Sequence, residues 1–421
     1  MRDSAREPKN RPGSFARKKN SAGEPMNVLV FNCGSSSQSF KVYRVAEGAE
    51  PTVIAAGKAT NVATTTQAAP RIDWEVEGVK GGAEADLSTH RLAAEEILGI
   101  LAGHSVGVDA IGHRFVHGGD WFQESALITA KSAERLKSCF ALAPIHNPNS
   151  YSVVEACTER LPEVAQAAVF DTAFHSKLPE QAKRYGLPLE LSARYGFRKY
   201  GFHGLSYSYV SARAAKLLQR PLASVSLVMC HLGTGGSSVT AFQDGHSVET
   251  SLGYSPLPGL VMSTRSGDID AEIVLELCRR FEGPDEVSAI LNNQSGLLGL
   301  SGFSSNLEEV IAEGERGNED CAIAAEVYAN RLKLYLGGYY WLLGGADAIV
   351  FTDSVGTRSW KLREEVCSGV ESLGVLLDPE ANREAPAGVE SFVSRPESKV
   401  AIIVIPTDEE LVILQEVLRT I

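Results

Sequence analysis

The sequence predicts an α/β protein built from two related domains, and three observations carry that prediction. An apolar stretch, Asn27-Val28-Leu29-Val30-Phe31, runs into the small polar turn Asn32-Cys33-Gly34-Ser35-Ser36-Ser37 and out through Ser39-Phe40-Lys41-Val42-Tyr43-Arg44-Val45. The same unit returns at Leu227-Val228-Met229-Cys230-His231-Leu232, with the turn Gly233-Thr234-Gly235-Gly236-Ser237-Ser238 and a partner strand over 239–243. Helical stretches follow each set of strands. A repeated strand–turn–strand unit backed by helices indicates two related α/β domains. A buried strand that delivers a Gly/Ser turn brings N–H groups and hydroxyls up to phosphate oxygens. Two such turns facing one cleft would grip a polyphosphate from both sides and suit phosphoryl transfer with domain closure.

Residues 1–25 carry Arg2, Arg6, Lys9, Arg11, Arg17, Lys18 and Lys19 among few large apolar side chains. They predict a disordered basic extension without the apolar core of a signal peptide. The first strand starts directly after Met26, so a start codon assigned too early is one reading and a basic docking tail the other. Strands are expected over 27–31, 39–45 and 51–56, then a polar Gly-containing segment and a helix over 91–102. Residues 108–116 read as a buried strand that ends in a charged loop. Helices over 133–143 and 150–161 and a short strand over 167–170 follow, ending at Asp171. After the second copy come a long helix over 320–343, a strand over 347–352, a loop over 353–356, a strand over 400–405 and a closing helix from about 409.

With 421 residues and 45.1 kDa the chain has room for two or three cored domains. Its formal net charge of −12 argues against a nucleic-acid or anionic-membrane binder. The seven cysteines are scattered and never form a C-x-x-C pair, which suggests neither a disulfide framework nor a zinc site. With no apolar run long enough to span a bilayer, a soluble cytoplasmic protein is expected.

The candidate chemistry sits in loops with small neighbours. Arginine is the side chain for holding a carboxylate or phosphoryl group through two donors. Arg114 lies in His113-Arg114-Phe115-Val116-His117-Gly118-Gly119, and Arg265 in Ser263-Thr264-Arg265-Ser266-Gly267-Asp268-Ile269-Asp270. Read singly, either is a solvated surface charge. Asp171 could orient a reacting group or cap a helix. His203 lies in Tyr200-Gly201-Phe202-His203-Gly204, where backbone can approach a ligand closely; alone it would read as a structural histidine. Asn32 and Glu409 are oxygen donors of the kind Mg²⁺ uses while it keeps most of its waters. Their plain readings are a turn residue and a first-turn helix acid.

Seven motifs in order give these stretches a shared context. They are Val-x-Asn-x-Gly-Ser-Ser-Ser, Gly-His-Arg-x-Val-His-Gly-Gly, Ala-Pro-x-His-Asn-Pro, Phe-Asp-Thr-Ala-Phe-His, Tyr-Gly-Phe-His-Gly, Thr-Arg-Ser-Gly-Asp-Ile-Asp and Pro-Thr-x-Glu-Glu. From Met26 onward the chain resembles the acetate kinase (acetokinase) family of the acetate and sugar kinase/heat-shock chaperone/actin superfamily. The resemblance implies two duplicated RNase H-like (actin-like ATPase) domains with an interdomain active-site cleft. Residues 26–172 with 409–421 would form the N-terminal domain and 173–408 the C-terminal one. It implies in-line transfer of the ATP γ-phosphoryl group to acetate, giving acetyl phosphate and ADP reversibly, with Mg²⁺ or Mn²⁺, in a homodimer. Arg114 and Arg265 would bind the carboxylate and stabilise the transferring group, His203 would bond the phosphoryl oxygens, and Asp171 would position acetate and the arginines. Asn32 and Glu409 would hold the metal or its waters. Val116, Ile145, Phe202 and Pro256 match the pocket for the acetate methyl.

The departures from the family pattern gather on the nucleotide side. Ser39 stands where the family has Lys, and His-Leu-Gly-Asn-Gly is His231-Leu232-Gly233-Thr234-Gly235. Ser-Ser-Asp-x-Arg reads Ser304-Ser305-Asn306-Leu307-Glu308, and Gly-Ile-Gly-Glu-Asn reads Ser354-Val355-Gly356-Thr357-Arg358. The second His of Phe-His-Gly-Thr-Ser-His is Tyr207. Exchanging Lys and Arg for Ser and Glu removes positive charge from the donor site, and Ser354 adds a side chain where backbone passes close to ligand. Three readings stay open at this level. They are an ATP-dependent acetate kinase, a relative using pyrophosphate or another short-chain carboxylate, and a non-catalytic ligand-binding paralogue.

Overall fold

The protein is described by a computed structural model over residues 24–64 and 69–421. The basic extension predicted for residues 1–25 therefore lies, up to residue 23, outside the described residues. The chain divides into two compact units. The first is made of the chain up to Phe115 together with Ser125–Val169 and Ile413–Ile421, the second of Val116–Glu124 and Phe170–Val412.

Strands β1 (Met26–Cys33), β2 (Ser37–Val45), β3 (Thr52–Thr60), β4 (Arg71–Val76), β5 (Val79–Glu84), β6 (Ala110–Phe115), β7 (Ala126–Leu127) and β8 (Ala165–Phe170) form the first sheet. Its order is β5-β4-β3-β2-β1-β6-β8-β7. The central strand β1 runs antiparallel to β2, with Phe31 opposite Phe40 and Asn32 opposite Ser39, and parallel to β6. The second sheet contains β9 (Leu227–Leu232), β10 (Ser237–Gln243), β11 (His246–Thr250), β12 (Ala348–Thr352), β13 (Ser391–Phe392) and β14 (Ala401–Val404), in the order β11-β10-β9-β12-β14-β13. Here β9 is antiparallel to β10 and parallel to β12. The run β3-β2-β1-β6-β8 thus has the same order as β11-β10-β9-β12-β14, which is the duplication expected from the two strand–turn–strand units.

Every residue of β9 and of β12 is buried, because each strand packs on both faces. Val228, Cys230, Leu232, Ile349 and Phe351 pack with Leu332 and Leu336 of the helix Glu319–Leu342. The alternate residues Leu227, Met229, Ala348 and Val350 pack with Val210 and Ala214 of the helix Gly204–Leu217. The period of two along each strand divides the core into these two layers.

Four local expectations are corrected. The polar segment after residue 60 contains the hairpin β4–β5, turned by Glu77 and Gly78 at φ +47° and +84°. Its signal is the alternation of buried Ile72 and Val76 with charged neighbours, diluted by few apolar residues. The third strand runs on to Thr60 rather than stopping at 56. The helix expected from 133 starts at Ala130, because Thr129 and Ser132 cap it reciprocally, and it ends at Ser138 before a 3₁₀ turn. Residues Asp353–Arg358 form a helix rather than a loop. All seven cysteines are free thiols. No helix among the described residues is long and apolar enough to cross a membrane.

Two core histidines make the fold acid-sensitive. His113 stacks on Phe31 and bonds Gln166 Oε1 at 2.7 Å, and His175 bonds Ser247 Oγ at 2.9 Å. Burial pushes both down to about 4, so both are neutral in the fold. The unfolded chain takes up these protons near pH 6.5. Stability is therefore complete above that value and is lost as pH falls towards 4, by about 1.4 kcal/mol per unit for each histidine. Thermal melts from pH 7 to pH 4.5 should show Tm falling with a slope that His113→Gln reduces; a Tm flat with pH contradicts this.

Candidate functional site

In the first unit the parallel pair β1–β6 brings Asn32 and Arg114 side by side at the strand ends. Arg114 Nη1 donates to Asn32 Oδ1 at 2.9 Å. The turn after β1 is closed by Gly34 N–H donating to Ser37 O at 2.8 Å, and His90 Nε2 contacts Gly34 O at 3.0 Å. Cys33 is buried, which pushes its thiol up to about 12 despite the nearby Arg114 charge, so it is a packing residue and not a thiolate. Across the sheet, Asn32 is opposite Ser39, and Ser39 is opposite Lys58 of β3. Directly opposed residues share a face with Cβ atoms about 5 Å apart. A lysine thus stands one strand away from the position where Ser39 departs from the family pattern. Ile145 is also in this unit and is 63% exposed.

In the second unit three elements converge on the turn between β9 and β10. Gly236 has no Cβ; one built there would lie 3.3 Å from His203 Nε2 and 3.4 Å from Arg265 Nη1. His203 caps the helix Gly204–Leu217 in the left-handed region, φ +60°, a conformation that costs a non-glycine residue of order 1 kcal/mol. Gly204 is required next to it, because a Cβ there would sit 1.9 Å from the backbone oxygen of Asp171. Asp171 itself opens a 3₁₀ turn, is 1% exposed and does not cap it; the cap position is Phe170.

Arg265 sits half-buried in a pinned loop. Asp268 accepts from Gly259 N–H at 2.8 Å and from Tyr335 Oη–H at 2.7 Å, and pairs with Arg331 at 3.4 Å. Arg265 donates to Pro256 O at 3.4 Å and contacts Met262 Sδ at 3.9 Å. Among the described residues no carboxylate pairs with it, and burial lowers the affinity of its guanidinium for its proton. A charge held this way calls for an anion. Val116 is buried and precedes His117, whose ring packs edge-on against Phe202 at 5.5 Å; Phe202 is buried. Pro256, the remaining pocket candidate, is thus tied to Arg265 directly.

The expected nucleotide residues fall into two kinds. Leu232, Leu307 and Val355 put their side chains into the core. Most of the polar ones are engaged by neighbouring residues. Thr234 N–H donates to Ser354 Oγ at 3.2 Å, and Ser263 donates to Thr234 O. His231 Nδ1 meets Ser206 Oγ at 2.9 Å and its Nε2 meets Asp353 Oδ2 at 3.1 Å, while its ring stacks on His203 at 4.0 Å. Asp353, at φ +62°, also covers Gly233, where a Cβ would lie 2.2 Å from its carboxylate. Asn306 caps the helix Leu307–Glu315, and Glu308 pairs with Arg358 at 3.7 Å. Glu409 opens the helix Glu409–Thr420.

Sequence reasoning did not single out Ser238, Asp353 or Arg363. Arg363 is 1% exposed and donates to Gly356 O, Thr357 O, Asn382 O and Asn382 Oδ1 at 2.7–2.9 Å. It therefore fixes the C-terminal carbonyls of the helix Asp353–Arg358. The only sequence signal was an arginine five residues beyond Arg358 in an amphipathic stretch. Arg363→Ala leaves those acceptors without donors and should cost about 3–5 kcal/mol in denaturant unfolding, with faster amide exchange over residues 353–358. Wild-type stability in the variant contradicts that role.

The Acetokinase family model matches residues 27–415. The chain is 44% identical over 405 residues to an acetate kinase from Dictyoglomus turgidum, covering 94% of this chain and 98% of the relative. It is 40% identical over 398 residues to an acetate kinase from Bacillus subtilis, covering 93% and 98%. Among solved structures it is similar to acetate kinase from Porphyromonas gingivalis, with TM-score 0.84, 38% identity and 94% and 99% coverage. A propionate kinase from Francisella tularensis matches with TM-score 0.85, 36% identity and 94% and 100% coverage. On the family model and on these identities, the chain belongs to the acetokinase family.

Proposed function

We propose that this protein catalyses reversible transfer of the γ-phosphoryl group of ATP to acetate. A carboxylate oxygen of acetate attacks the γ-phosphorus in line, the bond to the bridging oxygen breaks, and acetyl phosphate and ADP result. The observation that carries this reading is Arg265, a guanidinium without an acid partner among the described residues, beside His203 at Gly236. Phosphoryl transfer asks little covalent work of the protein, so positioned charge and N–H donors do most of the catalysis. Arg265 and His203 are assigned to the oxygens of the transferring group, and Arg114, steadied by Asn32, to the carboxylate. Asp171 is given the orientation of acetate and the arginines. Val116, Phe202, Pro256 and Ile145 are given the acyl methyl.

Among the described residues no cluster of three acids, histidines or cysteines could cage a metal ion. Asn32 Oδ1 is already engaged by Arg114. That donor set fits Mg²⁺ held mainly by its own waters and by the substrate phosphates, with Asn32 and Glu409 touching those waters. When bound, the ion would neutralise charge on the phosphates. The nucleotide is assigned to the turn 233–236, His231 and the helix Asp353–Arg358. Arg358 pairs with Glu308 and Lys58 stands opposite Ser39, so each departure that removes positive charge has a basic side chain next to it. This supports ATP as the donor. A homodimer in the cytoplasm completes the reading.

Trapping acyl phosphate with hydroxylamine tests the reaction. Protein with acetate and Mg²⁺ should give hydroxamate with ATP and not with pyrophosphate, and acetate should exceed propionate in kcat/KM. Product with pyrophosphate alone overturns the assignment of the donor. Arg114→Ala should lower kcat about a thousandfold while the nucleotide KM changes little; an active Arg114→Ala enzyme overturns the site.

A further inference from the structure

Tyr207 lies one turn beyond His203 on the helix Gly204–Leu217, so the two residues look towards the same strand. Its ring is fully buried, and its phenol oxygen is 2.6 Å from Ser238 Oγ on β10. Ser238 Oγ is in turn 2.8 Å from His203 Nδ1. The three groups form one hydrogen-bond chain that ends on the imidazole.

The direction of that chain follows from its protons. Burial pushes the Tyr207 phenol far above its ordinary range, so it keeps its proton. Ser238 has one proton and two neighbours. Were Ser238 to donate to the phenol, the buried phenol proton would have to turn to Thr240, the lesser of its two side-chain neighbours, whose hydroxyl donates to Thr250 at 3.0 Å, and Nδ1 would have to carry a proton of its own. With Tyr207 donating to Ser238 and Ser238 donating to Nδ1, every proton has a partner.

We propose that Tyr207 is a positioning residue which, through Ser238, holds His203 as the neutral tautomer with its proton on Nε2. Nε2 is the nitrogen beside Gly236 and Arg265, so an anion there meets an N–H and not a lone pair. The inference rests on the assignment of His203 to the phosphoryl oxygens and deepens it. Ionisable groups near the imidazole include His231 stacked on it, Asp353 behind His231, Arg265 across Gly236, and Asp171, whose backbone abuts Gly204. Among the described residues Ser238 Oγ bonds only His203 Nδ1 and Tyr207 Oη, which leaves Tyr207 to set its orientation.

Ring-nitrogen NMR of the ¹⁵N-histidine-labelled full chain reads the tautomer directly. At pH 7 the wild type should show His203 Nδ1 unprotonated and Nε2 protonated. Tyr207→Phe keeps the ring and removes the donor; it should admit the other tautomer and lower kcat about tenfold, with the nucleotide KM within about twofold. Its kcat should recover towards acid pH, where the imidazolium regains an Nε2 proton. Tyr207→Phe with Ser238→Ala should be no slower than Ser238→Ala alone. A wild-type tautomer and pH profile in Tyr207→Phe, or effects that multiply in the double variant, overturn the proposal. Turnover of His203→Ala tests the phosphoryl assignment separately, because the tautomer reports the chain whatever His203 binds.

Discussion

A half-buried guanidinium with no carboxylate partner among the described residues is the constraint around which the second unit is arranged. Leaving Arg265 unpaired costs free energy, and a free side chain would swing out to solvent. It is kept in place by the pinning of Asp268 to Gly259, Tyr335 and Arg331, and by Gly267, whose φ of +70° and contact with Leu260 O leave no room for a Cβ. The strain at His203 has the same sense: a left-handed histidine is maintained so that Nε2 reaches the turn at Gly236. Stability is given up locally to hold the two side chains at the turn.

The sheets explain why such points fall where they do. In both units a central strand, β1 or β9, is flanked by an antiparallel and a parallel neighbour, so its end must turn sharply. The parallel neighbour then delivers a residue alongside the turn. In the first unit that is Arg114 near the end of β6, reaching Asn32; in the second it is Asp353 after β12, reaching His231. One topology used twice supplies two turns with a charged partner at each.

Much of this was legible in the sequence. The apolar runs of β1, β9 and β12, the small-residue turns and the long helix Glu319–Leu342 follow from periodicity and composition. Arg114, His203 and Arg265 stood out through the seven ordered motifs, since each alone reads as a surface charge or a structural histidine. Partners were not legible. Ser238 reads as one more serine of a turn, Asp353 as a strand-end acid and Arg363 as a surface charge, since each acts through a contact made across the sheet or along a helix. The β4–β5 hairpin was hidden because only alternate residues face the core there. The departures from the family pattern were read one at a time as losses, yet they occur in contact: Thr234 with Ser354, Glu308 with Arg358, and Ser39 opposite Lys58.

The central claim is that the unpaired Arg265 is the anion-binding centre of the site. Titration calorimetry of acetyl phosphate into the wild-type protein and into Arg265→Gln tests it most directly. Hydrogen bonds to a charged group predict that the variant binds about 10- to 100-fold more weakly, with its fold and melting temperature kept. Equal affinity in the two proteins would mean that the phosphoryl group is held elsewhere, and would contradict the account.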